Sequence, residues 1–338
     1  MKAIVCEAPG RLTLGERPEP DAPGPGWALV GVSTVGICGT DYHIYGGKHP
    51  FLQYPRVMGH EVSGRVLAVG AGVALAPGTP VVINPYISCG TCGACRKGKP
   101  NCCTRIQVLG VHTDGAMCER ILVPAANLYP AGDIGLEQAA TVEFLAIGAH
   151  GVRRSGAPAG SSALVIGAGP IGLGTALFAR IAGQQVTLLD TSAERLAFAA
   201  QTLGLSSTLL VDDDLADRIA ALTGGEGFDV VYDATGAAAS MQAAFGHVAH
   251  GGVLVLLSVV RDDITFSDPE FHKREMMVIA SRNAVREDFE HVMASIRNGS
   301  VPVDAMITHR TSLDTVARDL PAWASVKTGL IKAIVSVG

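Results

Sequence analysis

The chain has no lysine-rich or arginine-rich block. Its 26 Lys and Arg stand against 31 Asp and Glu, a net charge of −5, so nothing in the charge pattern points to nucleic acid or an anionic membrane as partner. Aromatic residues are scarce at 5%, whereas Gly reaches 41 of 338 residues, a balance suited to tight turns and close backbone packing. The opening MKAIVCEAPG lacks the apolar stretch of a signal peptide, which predicts a cytoplasmic protein whose cysteines are reduced thiols open to metal. A chain of 338 residues, 48% apolar, is comfortable for two domains with a core in each.

Against this background one segment is crowded. CGTCGACRKGKPNCC, residues 89–103, holds five of the 8 cysteines. Cys89, Cys92 and Cys95 recur at C-x2-C-x2-C spacing, and Cys103 closes the set. Such steps turn successive thiolates towards one centre, where four complete a closed tetrahedral zinc shell. An iron–sulfur cluster is the rival reading of close C-x2-C spacing. A closed shell has no free position, so this loop is a staple rather than a reaction centre. Cys102, next to a ligand, points elsewhere.

The first sixty residues read as short β segments (AIVC, WALVGVSTVG, EVSGRVLAVG) separated by turns and the Pro/Gly loop RPEPDAPGPG. LEQAATVEFLAIGAHGVRR reads as helix, after which ALVIGAG, PIGLGTALFARIAG, QQVTLLD, SAERLAFAAQTLG, FDVVYDATG and GGVLVLLSVV alternate strand and helix. That alternation predicts a doubly wound parallel sheet. Beyond Glu287 we read one amphipathic helix, EDFEHVMASIRNG, and a closing strand, KAIVSVG.

Within the alternating part, Gly167, Gly169 and Gly172 form G-x-G-x-x-G in GAGPIG. The motif follows a strand, opens a helix, and precedes an acidic residue, Asp190, at the end of the next strand. This context suits a dinucleotide, with pyrophosphate at the helix N-terminus and ribose hydroxyls on the carboxylate. Asp190 would repel a 2′-phosphate, which favours NAD over NADP; Arg195 tempers this slightly. The same strand and helix account for the uncharged run Ser155–Ala179 without a membrane span. A second metal constellation lies upstream: Cys38, Thr40 and His43 in GICGTDYH, then His60 and Glu61 in GHE. Cys, His and carboxylate suit zinc, and three ligands leave a fourth position open. Taken singly, Cys38 reads equally well as a small buried hydrophobe and His43 as a surface histidine.

The motifs GICGTD, GHE, the four-cysteine loop and GAGPIG stand in the order of the zinc-dependent medium-chain dehydrogenases, which the whole chain resembles. Glu143, in VEFLAIGAH, makes the chain more similar to the polyol, threonine and sugar-acid branch than to the alcohol enzymes. PFLQYPRVMGHE, NPYISCGTC, LGVHTDG, FSDPEFHKRE and SRNA look closest to dehydrogenases of L-galactonate and L-gulonate acting at C5. The resemblance implies an α/β protein with two parts. One is a GroES-like β-rich catalytic domain, residues 1–149 and 287–338, and the other is a Rossmann NAD-binding domain, residues 150–286. It implies two zinc ions per chain. Cys38, His60 and Glu61 hold the catalytic one, with Glu143 ligating it or holding its water, and Thr40 and His43 relay protons. Ile171, Asp190, Arg195, Ser258, Val259, Arg282 and Asn283 would line the cofactor. The implied substrate is a small sugar acid or polyol, and the implied assembly a homotetramer or homodimer. A carboxylate on the substrate calls for a cation, for which Arg282 is the first candidate and His112, His272 and Lys273 the alternatives. Sorbitol- or galactitol-type polyol oxidation and L-threonine 3-dehydrogenation are the competing activities. A non-catalytic member of the fold would be expected to lose the open metal site.

Overall fold

The computed structural model describes residues 1–49, 52–326 and 328–338. Pro50 and Phe51, which open the segment PFLQYPRVMGHE, lie outside the described residues. The described chain divides into two units. One comprises Met1–Glu143, Met293–Gly299 and Met306–Gly338, and the other Phe144–Val292 and Ser300–Ala305.

In the first unit the strand Trp27–Ile37 is the hub. It pairs antiparallel with Glu61–Val69, with Arg120–Pro124 and with the closing strand Lys332–Ser336. Its N-terminal half alternates buried and half-exposed residues, as expected of a strand with one wet face. Its last four residues, Thr34–Ile37, are all buried. Val30, Val35, Val62, Val66 and Ile83 belong to the core beneath.

The second unit contains a parallel six-stranded sheet. Its spatial order is Thr208–Leu210, Gln185–Asp190, Ser162–Ile166, Phe228–Asp233, Val248–Leu256 and Met277–Ala280. Counted along the chain this is order 3-2-1-4-5-6, the doubly wound arrangement with a switch point beside the first strand. Leu164, Ile166, Leu189, Val231 and Leu254 pack in its core. The uncharged run folds into the strand Ser162–Ile166 and the helix Pro170–Ile181, whose residues from Gly172 to Ala179 are all buried. Among the described residues no helix is long and apolar enough to cross a membrane. The expected fold class is thus observed.

Three expectations about elements need correction. The helix read from Leu136 is two helices, Leu136–Ala139 and Val142–Ser155. Between them the Thr141 hydroxyl donates to the Gln138 carbonyl at 2.6 Å, a local bond that competes with helix continuation. The strand read through GGVLVLLSVV ends at Leu256, which leaves Ser258 and Val259 in a loop. The tail beyond the amphipathic helix Arg286–Arg297 is richer than one strand. It adds the helix Val303–Met306, the strand Ile307–Ser312 and the helix Val316–Ser325. Neither of the last two advertises itself. ITHRTS is polar throughout most of its length, and Pro321 inside the final helix reads as a breaker.

Candidate active site

The hub strand delivers Cys38 immediately beyond its buried end. Cys38 precedes the helix Gly39–Tyr45, and its N–H donates to Asp41 Oδ2 at 2.8 Å. The antiparallel register sets Gly36 opposite Glu61, so His60 and Glu61 open the neighbouring strand at the same level. A side chain at Gly36 could not be accommodated, since its Cβ would lie 2.0 Å from Glu61 Oε2. One ligand atom each from Cys38, His60 and Glu61 falls within 4.8 Å of the others. His60 and Glu61 are buried, and His60 Nδ1 and both Glu61 oxygens have no hydrogen-bond partner. Glu61 is nonetheless not alone. The Nζ of buried Lys332, on the closing strand, forms an ion pair with it, outside hydrogen-bonding geometry, and donates to the Ile37 carbonyl at 3.1 Å.

Glu143, in the first turn of Val142–Ser155, is also buried and accepts a hydrogen bond from the Tyr86 hydroxyl at Oε1. Burial raises its carboxyl to about 7, with His60 pulling it down and Glu61 pushing it up. Burial alone would lower the pKa of His60. The side-chain hydrogen bond with Cys38, helped by electrostatic attraction to Cys38, Asp41 and Glu143, outweighs that and holds it well above the ordinary value. A cluster of thiol, imidazole and carboxylate, with His60 Nδ1 and both Glu61 oxygens lacking hydrogen-bond partners, is a donor set that fits zinc. Thr40 Oγ1 lies 3.8 Å from Cys38 Sγ, and His43 is exposed three residues further along the same helix.

The four expected cysteines also converge. Ligand atoms of Cys89, Cys92, Cys95 and Cys103 lie within 4.8 Å of one another. Cys92 Sγ is 3.4 Å from Cys95 Sγ, and the N–H groups of Cys89 and Arg105 each donate to Cys103 Sγ at 3.3 Å. Backbone hydrogen bonds, from Thr91 and Cys95 foremost, lower Cys89 to about 5 and Cys92 to about 6. Cys102 stays exposed outside the cluster, whereas burial raises Cys6 to about 11 and Cys118 to about 12.

In the second unit the glycine loop follows the strand Ser162–Ile166. Gly167 has φ of +101°, and a Cβ on Gly172 would sit 1.7 Å from the Gly167 carbonyl oxygen, so both positions require glycine. Gly169 differs, because a Cβ there would meet nothing within 4 Å. That open cradle, ahead of the N-terminus of Pro170–Ile181, is where a pyrophosphate would approach. Asp190 Oδ2 accepts from Ala168 N at 2.5 Å, and Oδ1 from Ser192 N at 2.7 Å, which ties the acidic residue to the loop. Ile171 is half-buried, as is Arg195 near the start of the helix Ala193–Leu203. Ser258 and the 86%-exposed Val259 follow the fifth strand. Exposed Arg282 and half-buried Asn283, at φ +54°, follow the sixth. Parallel strands share one polarity, so all of these groups lie at the C-terminal edge of one sheet, where doubly wound folds bind ligands.

Comparison with known proteins agrees with this geometry. The family described as Alcohol dehydrogenase GroES-like domain matches residues 24–133, and Zinc-binding dehydrogenase matches residues 170–298. The L-galactonate-5-dehydrogenase of Escherichia coli K12 is 40% identical over 337 residues, 99% of each chain. The chain belongs to the zinc-binding dehydrogenase family. The D-altritol 5-dehydrogenase of Agrobacterium fabrum C58 is 33% identical over 321 residues, 93% of each chain. A crystal structure from E. coli CFT073, described as the short chain alcohol dehydrogenase rspB complexed with NADH, superposes with TM-score 0.93. It is 30% identical and covers 99% of each chain.

Four residues of this zinc-binding dehydrogenase escaped the sequence reading: Lys332, Tyr86, Gly36 and Asp233. Asp233, buried at the end of the fourth strand, accepts from Thr235 N, Thr235 Oγ1 and Ser240 Oγ at 3.0, 2.8 and 2.6 Å. It thereby shapes the loop that abuts Gly167. A lysine set inside the apolar closing segment LIKAIVSVG was the one available signal for Lys332. The alternative carboxylate partners are placed as follows. His112 Nδ1 accepts from Val108 N at 3.1 Å, Lys273 pairs with Glu270 at 3.7 Å, and His272 is exposed on the helix Asp268–Lys273.

Proposed function

We propose that this dehydrogenase oxidises a secondary hydroxyl of a sugar acid, of the L-galactonate or L-gulonate class, to a ketone with NAD as acceptor. The observation that carries the reaction type is the three-donor cluster of Cys38, His60 and Glu61, one short of a tetrahedral shell. The 40% identity to L-galactonate-5-dehydrogenase over 99% of the chain supports the substrate class. Cys89, Cys92, Cys95 and Cys103 would hold a second, structural zinc.

When bound, the catalytic zinc supplies Lewis acidity that lowers the pKa of the substrate hydroxyl, and NAD supplies the hydride acceptor. The protein's own groups do the rest. The Cys38 thiolate and one carboxylate balance the dication. Lys332 balances surplus charge at Glu61, and Tyr86 holds Glu143. Thr40 Oγ1 would accept the substrate proton while giving up its own, and His43, on the exposed side of the same helix, would return a proton to solvent. The glycine loop receives the pyrophosphate, and Asp190 accepts hydrogen bonds from the ribose hydroxyls while repelling a 2′-phosphate.

A second reading, a neutral polyol substrate, is favoured by the 33% identity to D-altritol 5-dehydrogenase. The test is a panel monitored by NADH absorbance, with L-galactonate and L-gulonate against galactitol and sorbitol. The acids should give the higher kcat/KM, and equal use of the polyols would overturn the sugar-acid reading. Repeating the panel on Arg282→Ala tests that guanidinium as the carboxylate's partner. A preference for the acids that persists unchanged would retain the substrate class and reject Arg282.

A further inference from the structure

Tyr86 is a large aromatic side chain in a chain with few of them, and it is buried at 7% exposure. It begins the two-residue strand Tyr86–Ile87, which pairs antiparallel with Gln107–Val108 on the far side of the four-cysteine loop. Its backbone is pinned from both flanks. Its N–H donates to Asn84 Oδ1 at 3.0 Å, and Asn127 Nδ2 donates to the carbonyls of Asn84 and Tyr86 at 2.9 and 3.2 Å. Asn84 Nδ2 in turn donates to the Tyr129 hydroxyl at 2.8 Å. The ring so fixed points its hydroxyl at Oε1 of Glu143.

Two buried carboxylates compete for one metal. Glu61 falls in the cluster with Cys38 and His60, and Glu143 does not. If both entered the shell, the fourth position would be filled by protein and closed to substrate. The geometry points to Tyr86 as the positioning residue that keeps Glu143 outside the metal shell and so leaves the substrate position open. This rests on the reading of Cys38, His60 and Glu61 as the zinc site. Without the hydroxyl, Glu143 would be a buried carboxylate that has lost a donor. A dication held by Cys38, His60 and Glu61 would offer it a replacement partner.

The inference has a sign that a merely structural role would reverse. A packing defect loosens bound metal, whereas release of Glu143 adds a ligand and tightens it. The experiment follows zinc release from the full-length holoprotein to a chromogenic chelator, in the original protein, Tyr86→Phe and Tyr86→Phe/Glu143→Gln. The catalytic phase is identified as the one missing from Cys38→Ser. In Tyr86→Phe that phase should slow about tenfold, the usual scale of outer-shell effects on metal sites, while kcat/KM falls. The added Glu143→Gln, a far poorer ligand, should return release to the original rate. Asn127→Ala, which frees the Tyr86 backbone without touching the ring, should slow release in the same direction and covers failure of the first variant to fold. Release that is unchanged or faster in Tyr86→Phe overturns the role of Tyr86 alone. Absence of any Cys38-dependent phase in the original protein overturns the zinc reading and this inference together.

Discussion

Asp190 does two things with one carboxylate. It closes the glycine loop by accepting from Ala168 and Ser192 backbone N–H groups, and on the proposed reading its charge would also face the cofactor ribose. Asp190→Ala should therefore narrow the preference for NAD over NADP by about tenfold or more, since repulsion of the 2′-phosphate disappears with the ribose acceptor. The NAD KM should rise as well, because two loop donors lose their partner. Initial rates with both cofactors check this, and equal kcat/KM in the unsubstituted enzyme would contradict the assignment. Glycines at this scale are not equivalent. Gly172 and Gly36 are demanded by neighbouring protein atoms, whereas Gly169 faces open space and is under no such packing constraint.

Between elements, the helices Val142–Ser155 and Arg286–Arg297 are joined through Asp288. It accepts from His150 Nδ1 at 2.8 Å, from Arg153 Nε at 2.8 Å on its other oxygen, and from Val285 N at 2.9 Å. The last bond anchors the turn that carries Arg282 and Asn283. Burial opposes ionisation of Asp288, but the hydrogen bonds from His150, Arg153 and Val285 together outweigh it and hold the carboxyl below 3.8. A depressed carboxyl stabilises fully above its unfolded value, and that contribution is lost as pH falls through the folded value. Asp288→Asn should cost on the order of 3 kcal/mol at neutral pH, with the difference from the original protein shrinking only below about pH 4. Denaturant midpoints across pH measure this, and a gap that already closes between about pH 6 and 5 would contradict the assignment.

For the whole molecule, the two metal clusters predict unequal consequences. The four-cysteine set binds one loop to itself, and the Cys38, His60, Glu61 set sits on the central sheet, whose fold is held by its own ladders and apolar core. Cys92→Ser should lower soluble yield and thermal stability, whereas Cys38→Ser should fold normally and lose activity. Metal analysis should find two zinc per chain in the original protein and one in Cys38→Ser. One zinc per chain in fully active enzyme would refute the assignment.

Spacing within the sequence was enough to mark the four-cysteine loop, the G-x-G-x-x-G turn and the pairs Cys38/Thr40 and His60/Glu61, because each is closed by backbone geometry over a few residues. The alternation of strand and helix likewise determined the parallel sheet, since parallel neighbours need crossover helices. What the sequence could not determine was who meets whom across the sheet. Gly36 faces Glu61 only because the hub strand pairs in that register, and a one-residue slip would turn every such side chain to the other face. Lys332 reaches Glu61 from the far end of the chain, and Tyr86 reaches Glu143 across 57 positions of sequence. On the proposed reading these contacts decide which carboxylate meets the metal. They exist only in the tertiary structure, because burial makes a charge seek its partner wherever in the chain that partner lies.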